Sequence, residues 1–376
     1  MSGAARHECL VIGGGLAGSM AALRLARAGR QVLLIERESA AHPKVCGEFL
    51  SPEAVAYLRH AGVDPLVLGA QSIHRLRVLA GARTFAANLP FTALSLSRSV
   101  LDEALLVQAQ QAGAELRRGA AVSHLARGAQ GWIATISGDV LAAPTVFLAT
   151  GKHDLRGWPR PAGAQNDLVG FKMHWRLPAA QVRELRGAMV LFLFRGGYGG
   201  LTLVEGDAAN LCFVVRRSAM RQRGGGNDVL AHLLETVAPL REYLGPAQPI
   251  WERPLAISPI PYGLLAPPAR DGLWRIGDQA AVIPSFTGDG MSIALHSAAL
   301  AAESYVAGLP PSTYQQLLRR QLRSGMRLAT LLSRIMVSGV GAASAPAALA
   351  ACPPLLRWIA QGTRIPAGAL AKFAPV

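Results

Sequence analysis

Three glycines, Gly13, Gly15 and Gly18, stand between the apolar run Cys9-Leu10-Val11-Ile12 and a helical stretch from Leu16 to Ala28, and they leave few folds open. In this pattern the first glycine allows a tight turn, the second lets backbone approach a phosphate, and the third lets the helix lie close on the strand. A second strand, Gln31 to Ile35, ends at Glu36. The order strand, glycine loop, helix, strand, acid defines a βαβ unit. Its helix start, with Leu16 and Ala17 in the first turn, offers free N–H groups and the positive dipole end to a pyrophosphate. Glu36, followed by Arg37, is placed to accept hydrogen bonds from ribose hydroxyls. With 40 glycines in the chain the spacing alone would say little, so the order of elements carries the reading.

Beyond this unit, Leu101 to Ala112 has helical spacing and Gly113 to Arg117 a short strand, while Trp132 to Ile136 and Val140 to Ala149 are extended, closing on Thr150-Gly151. The texture then changes. Phe171 to Arg176, Met189 to Phe194, Gly200 to Val204 and Leu211 to Val215 are short β segments separated by turn sequences, which predicts a mainly antiparallel sheet. Asn227 to Val237 reads as helix. Leu273 to Ile276 returns to a buried strand before Gly277-Asp278, and Met291 to Tyr305 and Tyr314 to Ile335 are helical again, the Arg-rich part forming an amphipathic surface helix.

The bulk numbers narrow the partners. A length of 376 residues with 51% hydrophobic content fills a large core, and 38 Lys+Arg against 23 Asp+Glu give a net charge of +15. The cations are scattered, with no basic stripe interleaved with aromatics, so nucleic acid is not expected as a partner. Cys9, Cys46, Cys212 and Cys352 are far apart with no histidine cluster, which predicts neither metal site nor disulfide framework and fits a reducing cytoplasm. No signal peptide is expected. Ile335 to Leu356 is uncharged, but Pro346, Pro353 and Pro354 interrupt it; we expect a helix end, a loop and a new helix start, and no membrane span. Membrane association is expected to be peripheral at most, through the basic C-terminal helix.

Near the far end, Gly277-Asp278-Gln279-Ala280-Ala281, Pro284 and Gly288-Asp289-Gly290-Met291 follow the strand in fixed order. With the N-terminal loop they make the chain resemble the p-hydroxybenzoate hydroxylase-like FAD-dependent oxidoreductases, and among them the geranylgeranyl reductase-like branch, over nearly the full length. The resemblance implies an α/β fold, α+β overall: a Rossmann-type FAD-binding domain from 1–75, 96–165 and 266–310, interleaved with a mainly antiparallel substrate domain from 76–95 and 166–265, with C-terminal helices at 311–376. It implies Asp278, after Gly277, on the ribityl chain, and Gly288 with the N–H groups of Gly290 and Met291 at the pyrimidine edge. Arg98, in Ser97-Arg98-Ser99, is implied near the phosphates. The usual Asp-Gly motif after the strand ending at Ala149 is replaced by Thr150-Gly151-Lys152-His153, which weakens the case for direct NAD(P)H reduction; Gly196 to Gly200 supplies no second fingerprint and reads as a hairpin or a wall.

Lys44-Val45-Cys46-Gly47-Glu48 resembles the Cys-Gly-Gly segment of the reductase branch beside the flavin ring. Cys46 is a candidate for substrate contact or proton supply, or else a buried small apolar residue; Gly47 lets backbone near the ring, and Pro284 is implied beside it. Tyr198, Phe192 and Phe213 are the expected pocket for an apolar small-molecule substrate, and His296 is read as a structural histidine. The first expectation is a monooxygenase hydroxylating an apolar aromatic or polyketide-like molecule through a flavin hydroperoxide. The alternative is a C=C reductase of a prenyl or lipid substrate. Halogenation is disfavoured because Lys44 and Glu48 have no accompanying W-x-W-x-I-P signature, and a non-catalytic flavin module is the contrasting class. The electron donor is left open among NAD(P)H, ferredoxin and a reductase partner.

Overall fold

The computed structural model describes residues 7–129, 131–222, 226–268 and 270–370, without the side chains of 226 and 227. Five parallel strands, in the order Trp274–Arg275, Thr145–Leu148, Cys9–Ile12, Val32–Glu36 and Glu115–Arg118, form the nucleotide-binding sheet. The three middle strands are near-continuous apolar runs because helices and a second layer cover both faces. Helix Leu16–Arg27 packs on Arg98–Gln111 and Gly290–Val306, and their shared core runs from Cys9 and Val11 to Leu295 and Tyr314. The second face carries a three-stranded antiparallel sheet, Val122–Gly128, Gly131–Ile136 and Asp139–Ala143.

A large sheet stands beside this layer. It takes strands from Phe49–Leu50, Gln71–Ala80, Arg83–Ser95, Leu168–Arg176, Ala188–Phe194, Gly197–Leu203 and Ala208–Arg216, with short edge pieces at 248–249 and 255–257. Its pairing is antiparallel except for Ala188–Phe194 on Gln71–Ala80. The four β segments expected between 171 and 215 are all present, each extended by one to three residues at an end. One correction concerns the C-terminal region. The expected loop within 335–356 contains a helix, Gly339–Ala351, capped by the Ser338 hydroxyl and tolerating Pro346 inside it. It turns by 110° from the long helix Pro311–Met336 and is followed by Pro354–Gly362. Among the described residues no single helix is long and apolar enough to cross a membrane.

Candidate functional site

The glycine loop is built by contact distances. Gly13 has φ +108°, its N–H donates to the Ile35 carbonyl at 2.8 Å, and a Cβ there would lie 2.4 Å from the Ala149 oxygen. At Gly18 a Cβ would fall 1.8 Å from the Gly13 oxygen, so this glycine serves helix-on-strand packing and does not line the cleft. The remote segment closes on the same place: a Cβ on Gly277, at φ +60°, would sit 2.8 Å from Ala17 Cβ, and the Gly277 N–H is held by Ser297 Oγ at 2.9 Å.

Between these segments opens one cleft of about 560 Å³. Gly13, Gly15, Leu16, Ala17, Glu36, Arg37, Arg98, Gly277, Asp278, Gly288, Gly290 and Met291 line it, as do Cys46, Gly47 and Tyr198. Glu36 already accepts the Gly14 N–H at 2.7 Å and the Glu38 N–H at 2.9 Å, and a carboxylate keeps further lone pairs for hydroxyls. A Cβ at Gly15 would lie 3.5 Å from Lys44 Nζ and 3.6 Å from Arg98 Nη2. Asp102 aligns these two cations, accepting from Lys44 at 2.8 Å and from Arg98 Nε and Nη2 at 2.7 and 2.9 Å. Burial opposes its charge, but Arg98 and Lys44 outweigh burial and hold the Asp102 carboxyl below its usual range. Two braced cations at a helix N-terminus suit a pyrophosphate. Neither Gly47 nor Gly290 has any protein atom within 4 Å of where a Cβ would be, so backbone borders open space there. The residues present fit FAD.

Three residues to which the motif reading gave no role pack around the same segments. Lys152 meets the Asp278 carboxylate at 3.4 Å. Buried Gln279 donates to the Gly151 and His153 carbonyls at 2.8 and 3.1 Å, tying the loop after Ala149 to the Gly277 turn. Asp289 is buried facing Arg364 at 3.7 Å, with Glu53 and Thr363 beside it, and burial pushes its carboxyl up to about 7.

Beneath the Cys46-Gly47 segment lies a sealed ion cluster. Glu48, at φ +56° and without solvent exposure, accepts from Lys172 Nζ, from His174 Nε2 at 2.8 Å and from the Arg98 N–H at 2.8 Å. Burial works against ionisation, but the hydrogen bond from His174 and the charge of Lys172 prevail and hold Glu48 below the usual carboxylate range. The cluster fixes the loop that carries Cys46, whose sulfur accepts the Glu48 N–H at 3.4 Å. Neither Lys172 nor His174 has a motif that would announce it; the only sequence signal is two polar residues at alternate positions of an apolar strand.

Three expected site residues lie elsewhere. Phe192 and Phe213 are buried in the core on the opposite face of the large sheet, with Phe171, Val190 and Leu211. A strand turns successive side chains to opposite faces, and the cleft receives their neighbours Leu191, Cys212 and Val214. Pro284 is buried outside the cleft wall, which is made by Ile283, Ser285 and Phe286. His296 behaves as expected, buried between Tyr57 at 2.6 Å and Gln321 at 2.8 Å.

These features define a flavoprotein, and residues 6–141 match the FAD binding domain family. The match agrees with the FAD-binding unit that the resemblance implied, and reductases are among the proteins to which the chain is similar. It is 30% identical to protein FixC of Escherichia coli over 219 residues, 53% of this chain, and spans about half the length (49%) of that relative. With the menaquinone reductase of Mycolicibacterium smegmatis it shares 25% identity over 87% of this chain and 85% of the other. Two solved structures have the same fold over 98% of the chain: flavin-dependent brominase Bmp2 (TM-score 0.77, 18% identity, 97% of that chain) and a geranylgeranyl bacteriochlorophyll reductase-like protein of Thermoplasma acidophilum (0.76, 19%, 95%).

Proposed function

We propose that this chain reduces a carbon–carbon double bond in a neutral, apolar, prenyl- or lipid-like substrate. One observation carries the reading: among the described residues, the part of the cleft walled by Met189, Leu191, Val214, Leu255, Ile257 and Ile260 shows no charged side chain apart from buried Glu48, whereas the charged residues gather around the glycine loop and Asp278. An aliphatic wall suits a hydrocarbon better than an anion. The similarity to a menaquinone reductase along most of the chain supports reduction over oxygenation. FAD, when bound, supplies the hydride chemistry. The chain's own residues hold its phosphates with Lys44 and Arg98, keep water from the apolar part of the cleft, and set Cys46 Sγ in the wall where it contacts substrate or returns the proton that a saturating carbon needs.

Hydroxylation, the first expectation from sequence, becomes the second reading; Tyr198, Tyr262 and Phe286 in the cleft lining are suited to stack an aromatic ring. The test is anaerobic. FAD-loaded protein reduced with dithionite is mixed with geranylgeraniol or menaquinone, and flavin reoxidation with a saturated product is expected. Oxygen consumption with oxygen incorporated into an aromatic substrate would replace reduction by hydroxylation. Failure of both with a yellow, folded protein would favour a non-catalytic flavin module. NAD(P)H, ferredoxin and a separate reductase are each assayed as donor.

A further inference from the structure

From Ser304 to Val376 the sequence has no Asp or Glu, yet it has seven Arg and one Lys. Three of those arginines are used internally: Arg319 donates to the Leu265 and Ala266 carbonyls, Arg334 to the Ala164 carbonyl, and Arg364 pairs with Glu53. Arg320, Arg323, Arg327 and Arg357 are exposed, and no hydrogen bond or ion pair reaches them among the described residues. On the helix Pro311–Met336 the exposed positions Arg320, Arg323, Arg327, Leu331 and Ile335 follow one another at three- and four-residue steps, a single stripe that is cationic first and apolar at its end. The chain then bends by 110° into Gly339–Ala351, and large apolar side chains crowd this corner: Leu331 is 57% exposed, Ile335 46% and Val340 82%. Trp358, on the following helix, is 57% exposed.

The inner side of the same corner belongs to the site. Met336, Val337 and Ala342 pack in one apolar cluster with Tyr198, Tyr262 and Ile260, all three of which line the cleft. The corner therefore has an apolar outer surface and an inner surface against the substrate end.

We propose that this face docks on an anionic lipid bilayer, with Leu331, Ile335 and Val340 entering the interface and Arg320, Arg323 and Arg327 lying on the headgroups. The occupant is chosen by charge complementarity together with exposed aliphatic tips: unpaired guanidiniums seek phosphates, and the tips remove apolar area from water only when they meet an apolar phase. Docking in this orientation brings a bilayer-dissolved substrate to the wall shared by the corner and the cleft. The proposal concerns the surface, and it stands or falls apart from the reaction assigned to the cleft.

The experiment is co-sedimentation of the FAD-loaded full chain with vesicles of phosphatidylcholine alone or with about 30% phosphatidylglycerol, at about 0.1 M and about 0.5 M salt. Binding is expected only to the anionic vesicles, and it weakens with salt. The triple variant Arg320→Gln, Arg323→Gln, Arg327→Gln should lose about 100-fold in partitioning, and Val340→Asp about tenfold. Unchanged melting temperature and retained flavin colour show that the variants are folded. Absence of binding of the unsubstituted protein to anionic vesicles overturns the proposal without any variant. Salt-sensitive capture by soluble polyglutamate, with vesicle binding indifferent to Val340→Asp, overturns it in favour of an acidic protein partner.

Discussion

Two carboxylates at this cleft each sit between two basic side chains, Asp102 between Lys44 and Arg98 and Glu48 between Lys172 and His174, and they are arranged in opposite senses. Asp102 lies behind Lys44 and Arg98, which line the cleft beside Gly15; the acid braces the bases, and the bases face the ligand. At Glu48 the whole cluster with Lys172 and His174 is sealed under the Cys46 loop, with the carboxylate and the Lys172 ammonium free of solvent contact. The first arrangement makes a binding surface from charge that keeps some contact with water. The second hides its charge and leaves only backbone and Cys46 at the surface, so its product is the position of a loop. Ion pairing is therefore the same chemistry used for recognition at one end and for architecture at the other, and burial decides which.

The sharpest way to break this contrast is Glu48→Gln. It leaves the Lys172 ammonium buried without a counter-charge and should cost about 3–5 kcal/mol of stability by denaturant titration. The double variant with Lys172→Met should recover most of that loss. Failure to recover would mean that the cluster does more than hold the loop.

Asp289 tests the contrast from a third side, since it is buried opposite a single guanidinium 3.7 Å away. Its folded carboxyl is raised to about 7, whereas an unfolded one titrates near 3.9. The unfolded state therefore holds fewer protons between these values, and stability falls as pH rises from about 4 to about 7, by up to about 4 kcal/mol. Asp289→Asn should flatten that slope in melting temperature against pH. Glu48 and Asp102 have the reverse sign. Their carboxyls are held below the usual range, so the stability they contribute is present above about pH 4 and is lost as pH falls through their lowered values.

A smaller effect is expected at the recognition end. Asp102→Asn frees Lys44 and Arg98 from their brace and should raise the FAD dissociation constant about tenfold to 100-fold, with less loss of stability than Glu48→Gln; equal losses would erase the distinction between the two clusters. Smallest of all is Lys152→Ala. Its partner Asp278 is 3.4 Å away in a partly exposed pair, so flavin affinity should change by less than about threefold.

The recognition end was largely readable before any fold was known. Gly13, Gly18, Gly277 and Gly288 announce themselves because positive φ or close approach of neighbouring atoms restricts the residue locally, and the acids Glu36 and Asp278 follow at fixed offsets. The sealed cluster was not readable in this way: Glu48 is 124 positions from Lys172 and 126 from His174. Nor was the facing of the substrate sheet. Phe192 and Phe213 looked like pocket residues, but strand alternation only says that neighbours differ, and a shift of one residue exchanges wall for core.

By itself, then, the sequence determined the nucleotide-binding unit, the order of the elements and the flavin class, because those rest on backbone geometry that a few residues dictate within a turn. Tertiary structure alone decided which face of the large sheet meets the cleft, which ion pair is wet and which is dry, and where the C-terminal corner points. Those outcomes depend on burial, and burial is set by everything that packs around a residue.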